Sequence, residues 1–204
     1  MGLFFKAKEQ KNYGEDLPED TLLAFKAADG DENSFETLLR KYERFVSTCV
    51  YPIIGSADDT ADVCQEVFLK VYRSLSSFKG ESSFSTWLYR VAKNCAYDFV
   101  RKKKGENVSL DETDEDGKGL ELPDTDEKNY PEQTALKNER KQFLWAAVSR
   151  LSDEHREIIV LRDINDYTYE QIAQMTGLEP GTVKSRLFRA REALKKQLLK
   201  ENYF

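Results

Sequence analysis

The chain is short of histidine, cysteine, proline and glycine, and each shortage removes a class of function. Its one histidine, His155, stands alone, and the three cysteines, Cys49, Cys64 and Cys95, are scattered with no metal-ligand spacing. No zinc site can be assembled from them, no metal or other cofactor is expected, and the thiols read as reduced core residues of a cytoplasmic protein. No apolar run approaches the length of a membrane span. Leu3-Phe4-Phe5 is too short for a signal-peptide core. Lys6 stands where a myristoylated Gly2 would require Ser or Thr. Catalytic groupings are missing too: there is no phosphate-cradling Gly-Lys-Ser/Thr loop, no Ser/His/Asp set and no isolated carboxylate pair. Asp58-Asp59 opens a helix, where the dipole accounts for both acids. The chain reads as a binding protein rather than an enzyme. Strand-like alternation of useful length is absent as well, so the expected fold is all-α.

What the chain has in abundance is charge, 33% of 204 residues, at a net of −6. That total hides segregation. Residues 105–134 hold eleven acids and two bases, whereas 90–104 hold six bases and one acid, and 181–200 hold seven bases and one acid. Two basic patches separated by an acidic segment are a different object from an acidic protein. The acidic segment has three glycines, two prolines and few aromatics. It cannot bury enough apolar surface to order itself and reads as a flexible linker between two small helical domains. Its acids would repel DNA phosphates, or could lie along a basic groove of a partner. The expected division is a tail over 1–19, a domain over 20–104, the linker over 105–134 and a second domain over 135–204.

Within the first domain, Asp20 or Thr21 is expected to cap a short helix. A stronger one starts at Ser34 (Phe35, Leu38, Leu39, Tyr42, Phe45, Val46) and ends at Pro52 and Gly55. The next helix runs over 58–75. Val63, Cys64, Val67, Phe68, Val71, Tyr72 and Leu75 share its predicted core side, and Asp58, Asp62, Gln65, Glu66, Leu69 and Arg73 share the other. Leu69 in that acidic, amide-rich stripe is either a scattered surface leucine or the apolar anchor of a docking face for a basic partner. A serine-rich loop follows, with Phe78 and Phe84 bracketing Lys79, Gly80, Glu81, Ser82 and Ser83. The helix over 86–103 turns Trp87, Leu88, Val91, Cys95 and Phe99 inward, and aligns Arg90, Asn94, Tyr97 and Arg101 at spacings of four, three and four. That stripe is either a solvated face or a nucleic-acid surface, with cations for phosphates, an amide for base edges and a phenol for stacking.

The second domain resumes with a helix whose Phe143, Leu144, Ala147, Val148 and Leu151 face inward, then a capped start at Ser152. The stretch over 167–199 reads as helix, tight turn, helix, with Gly177 to Gly181 breaking the pattern. On the second helix Val183, Leu187, Ala190 and Leu194 form a narrow apolar stripe, and Ser185, Phe188, Arg189, Glu192 and Lys196 lie opposite, flanked by Lys184. An exposed aromatic on a basic face fits a helix-turn-helix entering a major groove; the alternative is a packed αα-hairpin with a charged surface.

Three motifs in this order resemble a family: Asp62-Val63-Cys64-Gln65-Glu66-Val67-Phe68, then FKGESSFSTWL over 78–88, then the helix-turn-helix. Together they are similar to the extracytoplasmic-function, group 4 sigma factors of bacterial RNA polymerase, and the resemblance covers residues 24–104 and 136–199. It implies that the Asp58, Asp62, Gln65, Glu66, Leu69, Arg73 face binds core RNA polymerase. It implies that the Phe78–Phe84 loop captures a flipped base of the −10 promoter element, with Arg90, Asn94, Tyr97 and Arg101 on the adjoining helix. Gly181, Thr182, Lys184, Ser185, Arg186, Phe188 and Arg189 are implied in −35 duplex recognition. An anti-sigma factor, often membrane-anchored for such proteins, is implied as a partner. Ala61 departs from the family's usual acid, and Glu179-Pro180 from its usual small capping residue. The competing class is a helix-turn-helix regulator whose first domain is sensory or dimerising, for which the FKGESSFSTWL loop has no use.

Overall fold

The computed structural model describes residues 17–106 and 131–200. Most of the expected tail and linker therefore lie outside the described residues. Every described element is helical: α1 (Glu19–Ala28), α2 (Glu32–Ile54), α3 (Ala57–Ser74) with a 3-10 turn over Leu75–Ser77, α4 (Phe84–Glu106), α5 (Pro131–Ser149), α6 (Asp153–Ile159) running into a π-turn over Val160–Ile164, α7 (Tyr169–Thr176) and α8 (Pro180–Lys200).

The first four helices close over Leu38, Val46, Val50, Val63, Val67, Val71, Leu75 and Leu88, all at 2% exposure or less. Their starts are set by local chemistry that differs from the expected caps. Pro18 and Asp31, not Asp20 and Ser34, precede α1 and α2. The Asp20 carboxylate instead accepts from Lys41 Nζ at 2.5 Å and Tyr42 Oη at 2.7 Å, tying α1 onto α2. Ser34 Oγ donates to Asp31 at 2.5 Å. Pro52 does not end α2. The helix passes it and stops at Gly55, whose φ of 81° is the left-handed conformation glycine adopts without a Cβ clash. Tyr51 and Pro52 are both buried, so packing holds the last turn against the proline's preference for breaking it.

The last four helices pack around Val148, Ile158, Ile159, Leu161, Ile172, Val183 and Leu187, all nearly inaccessible. Thr168 and Gln171 form a reciprocal capping box at the start of α7. Gly177, at φ 75°, ends that helix. Ser152 occupies the cap position of α6, but its side chain makes no capping hydrogen bond.

The two halves share one continuous core. Phe45 meets Tyr167 edge-on at 5.4 Å, Tyr51 meets Trp145 at 5.7 Å, and Thr48 Oγ1 donates to Asn165 Oδ1 at 3.1 Å. Two expected core positions, Leu144 and Tyr72, are corrected, and two unexpected ones, Trp145 and Tyr89, are added at this junction. Trp145 is buried and its neighbour Leu144 is 39% exposed, because α5 meets α2 through the tryptophan. Tyr89 is buried, because α4 is covered on a second side. Tyr72 is 47% exposed, its ring set edge-on to Phe35 at the rim of α2.

Candidate nucleic-acid interface

Ser56 caps α3 by accepting from the Asp59 N–H at 3.3 Å. From that start Asp58, Asp62, Gln65, Glu66, Leu69 and Arg73 all project into solvent, Leu69 at 56% exposure. Beside them a groove of about 590 Å³ runs between α2 and α3, lined by Phe35, Leu39, Cys64, Phe68, Leu69 and Tyr72 among others. Leu69 is thus the edge of a larger apolar strip. Helical periodicity assigns Phe35 and Leu39 to the core, so the α2 half of this strip was not legible from spacing.

The loop after α3 is arranged differently from its expected surface role. Phe78 and Phe84 are buried at 6% and 2%, their rings 5.8 Å apart and packed with Phe25 and Trp87. They form the floor of the loop, and Lys79, Gly80, Glu81 and Ser83 are its exposed rim, with Ser82 half-exposed. Gly80 has φ 74°, and a Cβ there would sit 3.0 Å from the Phe25 ring, so the turn requires glycine twice over. Ser83 Oγ accepts from the Thr86 N–H at 3.2 Å and shares hydroxyl contacts with Ser85 and Thr86, which caps α4.

On α4, Arg90, Asn94 and Arg101 are exposed and Tyr97 is half-buried. This face is partly engaged by the chain itself. Arg90 donates to the Gln174 carbonyl at 2.8 Å, and Arg101 pairs with Asp98. Lys93 Nζ and Tyr89 Oη donate to the Glu157 carboxylate at 2.6 and 2.5 Å. Burial, then the nearby Asp153 carboxylate, pushes the Tyr97 phenol up to about 12. Lys103, further along, pairs with Asp59 at 2.8 Å. Glu157 and Gln174 carry no sequence signal, and Asp153 only that of a helix start beside Ser152. Nothing in their spacing marks residues that meet α4 only through the tertiary fold.

The helix-turn-helix presents the opposite picture. Val183, Leu187 and Ala190 are buried, while Gly181, Thr182, Lys184, Ser185, Phe188 and Arg189 are exposed, Phe188 at 70%. Arg186 stands apart: its side chain is 22% exposed and reaches Glu154 at 3.3 Å. Burial raises all three thiols, Cys64 up to about 12, so none is poised as a thiolate at neutral pH. Among the described residues no acid, Cys or His group is arranged to hold a metal, and no helix is long and apolar enough to cross a membrane.

Comparison with known proteins accounts for both halves. Residues 38–106 match the model of sigma-70 region 2, and residues 143–194 match that of sigma-70 region 4. The ECF RNA polymerase sigma-E factor of Escherichia coli strain K12 is 36% identical over 179 residues, 86% of this chain and 92% of its own length. The sigma-E factor of Haemophilus influenzae is 33% identical over 183 residues, 88% of this chain and 95% of its own. The sigma factor RpoE of Bartonella quintana, solved in complex with the anti-sigma factor NepR, has the same fold at 23% identity, with a TM-score of 0.61 over 80% of this chain and 96% of that one. With region 2 carried by α2–α4, region 4 by α5–α8, and relatives above 30% identity matched over nearly their whole length, the chain belongs to the ECF sigma factors of the sigma-70 family.

Proposed function

We propose that the exposed faces divide the work of promoter-specific initiation among them. The α3 face, with Leu69 as anchor and the α2 groove beside it, docks core RNA polymerase. A basic partner segment would meet Asp58, Asp62, Gln65 and Glu66 while its apolar side chains cover Leu69, Phe68 and Tyr72. The rim Lys79 to Ser83, above its floor of Phe78 and Phe84, holds a base displaced from the −10 element. Arg90, Asn94, Tyr97 and Arg101 hold the single strand leading to it. Contacts that exist only with melted DNA offset the lost stacking, worth a few kcal/mol per step. Thr182, Lys184, Ser185, Phe188 and Arg189 read the −35 duplex through the major groove. Arg186, held by Glu154, orients the helix more than it reads bases.

The acidic linker sets the effective concentration at which the second element is engaged after the first. The protein acts in the cytoplasm as an initiation factor, without catalysis of its own, and an anti-sigma factor holds it between uses. The Bartonella quintana relative, solved with NepR, supports that last assignment.

One observation carries the reading. A single chain bears both a protruding leucine in an acidic docking face and, on a separate helix, a bare basic face with an aromatic at 70% exposure. The test is a mobility-shift titration of promoter duplex at physiological salt. Specific binding is expected only when core polymerase is present. Tight specific binding by the chain alone would reject the division of labour.

A further inference from the structure

The groove between α2 and α3 leaves large apolar side chains facing water. Leu69 and Tyr72 are 56% and 47% exposed at its rim, and Phe35, Leu39 and Phe68 are half-buried along it. Its volume of about 590 Å³ lies within the range of ligand pockets. An apolar surface of this kind, rimmed by polar residues, marks an interaction site. The rim is mostly acidic. Glu43 lines the groove, and Asp62 and Glu66 stand exposed beside it on α3, with Arg44 the one basic lining residue. The matching occupant brings aromatic or aliphatic groups next to positive charge.

The chain holds such a segment itself. Leu3-Phe4-Phe5-Lys6-Ala7-Lys8 has three large apolar residues, two lysines and no acid. It precedes the first described residue, Leu17. The start of α1 is pinned to α2, because the Asp20 carboxylate accepts from Lys41 Nζ and Tyr42 Oη. The segment therefore leaves from beside the helix that forms one wall of the groove. Lys41 does not line the groove, so the connection has to pass over α2, a distance of about 10–12 Å. The stretch from Phe5 to Leu17 can extend to about 40 Å.

We propose that residues 3–8 seat in the α2–α3 groove of their own chain, Phe4 and Phe5 on its apolar lining and Lys6 and Lys8 against Asp62 and Glu66. The chain then carries its own competitor for the partner that docks there. That consequence rests on the assignment of the α3 face to core polymerase, whose docking segment was argued to be basic and apolar in the same way. The seat needs little intrinsic strength. A tether this short presents the aromatic pair at a local concentration on the order of 1 mM. A dissociation constant of about 0.1 mM then keeps the groove roughly nine-tenths filled. Core polymerase meets the remaining open fraction, and its apparent affinity falls about tenfold.

Cys64 reports on the seat, because it lines the groove while Cys49 and Cys95 are 6% and 3% exposed in the core. The full chain is treated with N-ethylmaleimide, and the initial rate at Cys64 is read by peptide mass spectrometry. Phe4→Ser with Phe5→Ser is expected to raise that rate about tenfold and to tighten core polymerase binding by the same factor. Both substitutions lie outside every described helix, so Cys49 and Cys95 should stay protected. Lys6→Glu with Lys8→Glu should also expose Cys64, since it sets like charge against Asp62 and Glu66. A wild-type Cys64 rate in the serine variant would overturn the seat, and one in the glutamate variant would overturn its contact with the acidic rim. Wild-type protection should not change with chain concentration. Protection that appears only at high concentration would mean that a second copy supplies the segment, and would overturn the intramolecular seat. A faster Cys64 with unchanged core affinity would uphold the seat and place the error in the assignment of polymerase to the α3 face.

Discussion

Two helices of this protein carry stripes that look alike in sequence, and the fold treats them in opposite ways. On α8, Lys184, Ser185, Phe188 and Arg189 stand clear of the protein over a fully buried Val183, Leu187, Ala190 stripe. On α4, Arg90, Tyr97 and the intervening Lys93 are turned onto α6 and α7. A helix whose neighbours all pack on one side, as α5, α6 and α7 do on α8, has one face left over. A helix with neighbours on two sides has its polar face conscripted by whichever groups the second neighbour brings. The α8 face is therefore left open, while the α4 face is partly covered by the other half.

The largest contrast lies inside α8 itself. Leu187 and Phe188 are adjacent, at 2% and 70% exposure. Leu187→Ala is expected to destabilise the protein by about 3 kcal/mol through lost burial and a cavity. Phe188→Ala should change stability by less than about 0.5 kcal/mol, as for an exposed position. Urea melts of the two variants check this, and equal losses would mean that the outer face of α8 is packed rather than open.

Next in size is the α3 face proposed for docking. Leu69→Asp should weaken core polymerase binding by about 2 kcal/mol, roughly thirtyfold, as for a central anchor residue. The helical circular-dichroism signal should stay that of the wild type, because Leu69 already faces water. Core affinity indistinguishable from wild type would remove Leu69 from that role.

Smaller again, Arg189→Ala should cost about 1–3 kcal/mol of discrimination between −35 sequences with core affinity unchanged. Competition binding of holoenzyme to promoter variants reads the first quantity and anisotropy with core the second. A loss of core binding would show that α8 does not serve DNA alone.

The smallest effect concerns the capping box that aims α8. Thr168 Oγ1 accepts from the Gln171 N–H and Gln171 Oε1 from the Thr168 N–H. Thr168→Ala should lose about 1 kcal/mol, seen as a small fall in melting temperature with the −35 preference retained. A changed preference at unchanged stability would mean that Thr168 contacts DNA.

The contrast between α8 and α4 also explains what the sequence could disclose. The helix-turn-helix was legible because its signals are local: Gly177 for a left-handed stop, Pro180 for a helix start, and one apolar stripe at helical spacing. The α3 face was legible for the same reason, a single stripe with one outlier, Leu69. Phe78 and Phe84 were not, since two aromatics around a glycine can as well line a pocket as floor a loop. Only the packing of Phe25 and Trp87 against them decides. Trp145 and Tyr89 were missed because periodicity locates an apolar face but not a second partner, and their partners lie across the acidic linker in the chain. The Glu157 node has no local signal, being a pairing of residues 64 and 68 positions apart.

Run-off transcription with core polymerase, over a library of promoter fragments, with and without this chain, tests the proposed role most directly. New start sites are expected only when the chain is present, at templates sharing two spaced elements, and are expected to be lost with Leu69→Asp. An unchanged transcript pattern, together with binding of the chain alone to a symmetric operator, would contradict it and favour a regulator that reads DNA without polymerase.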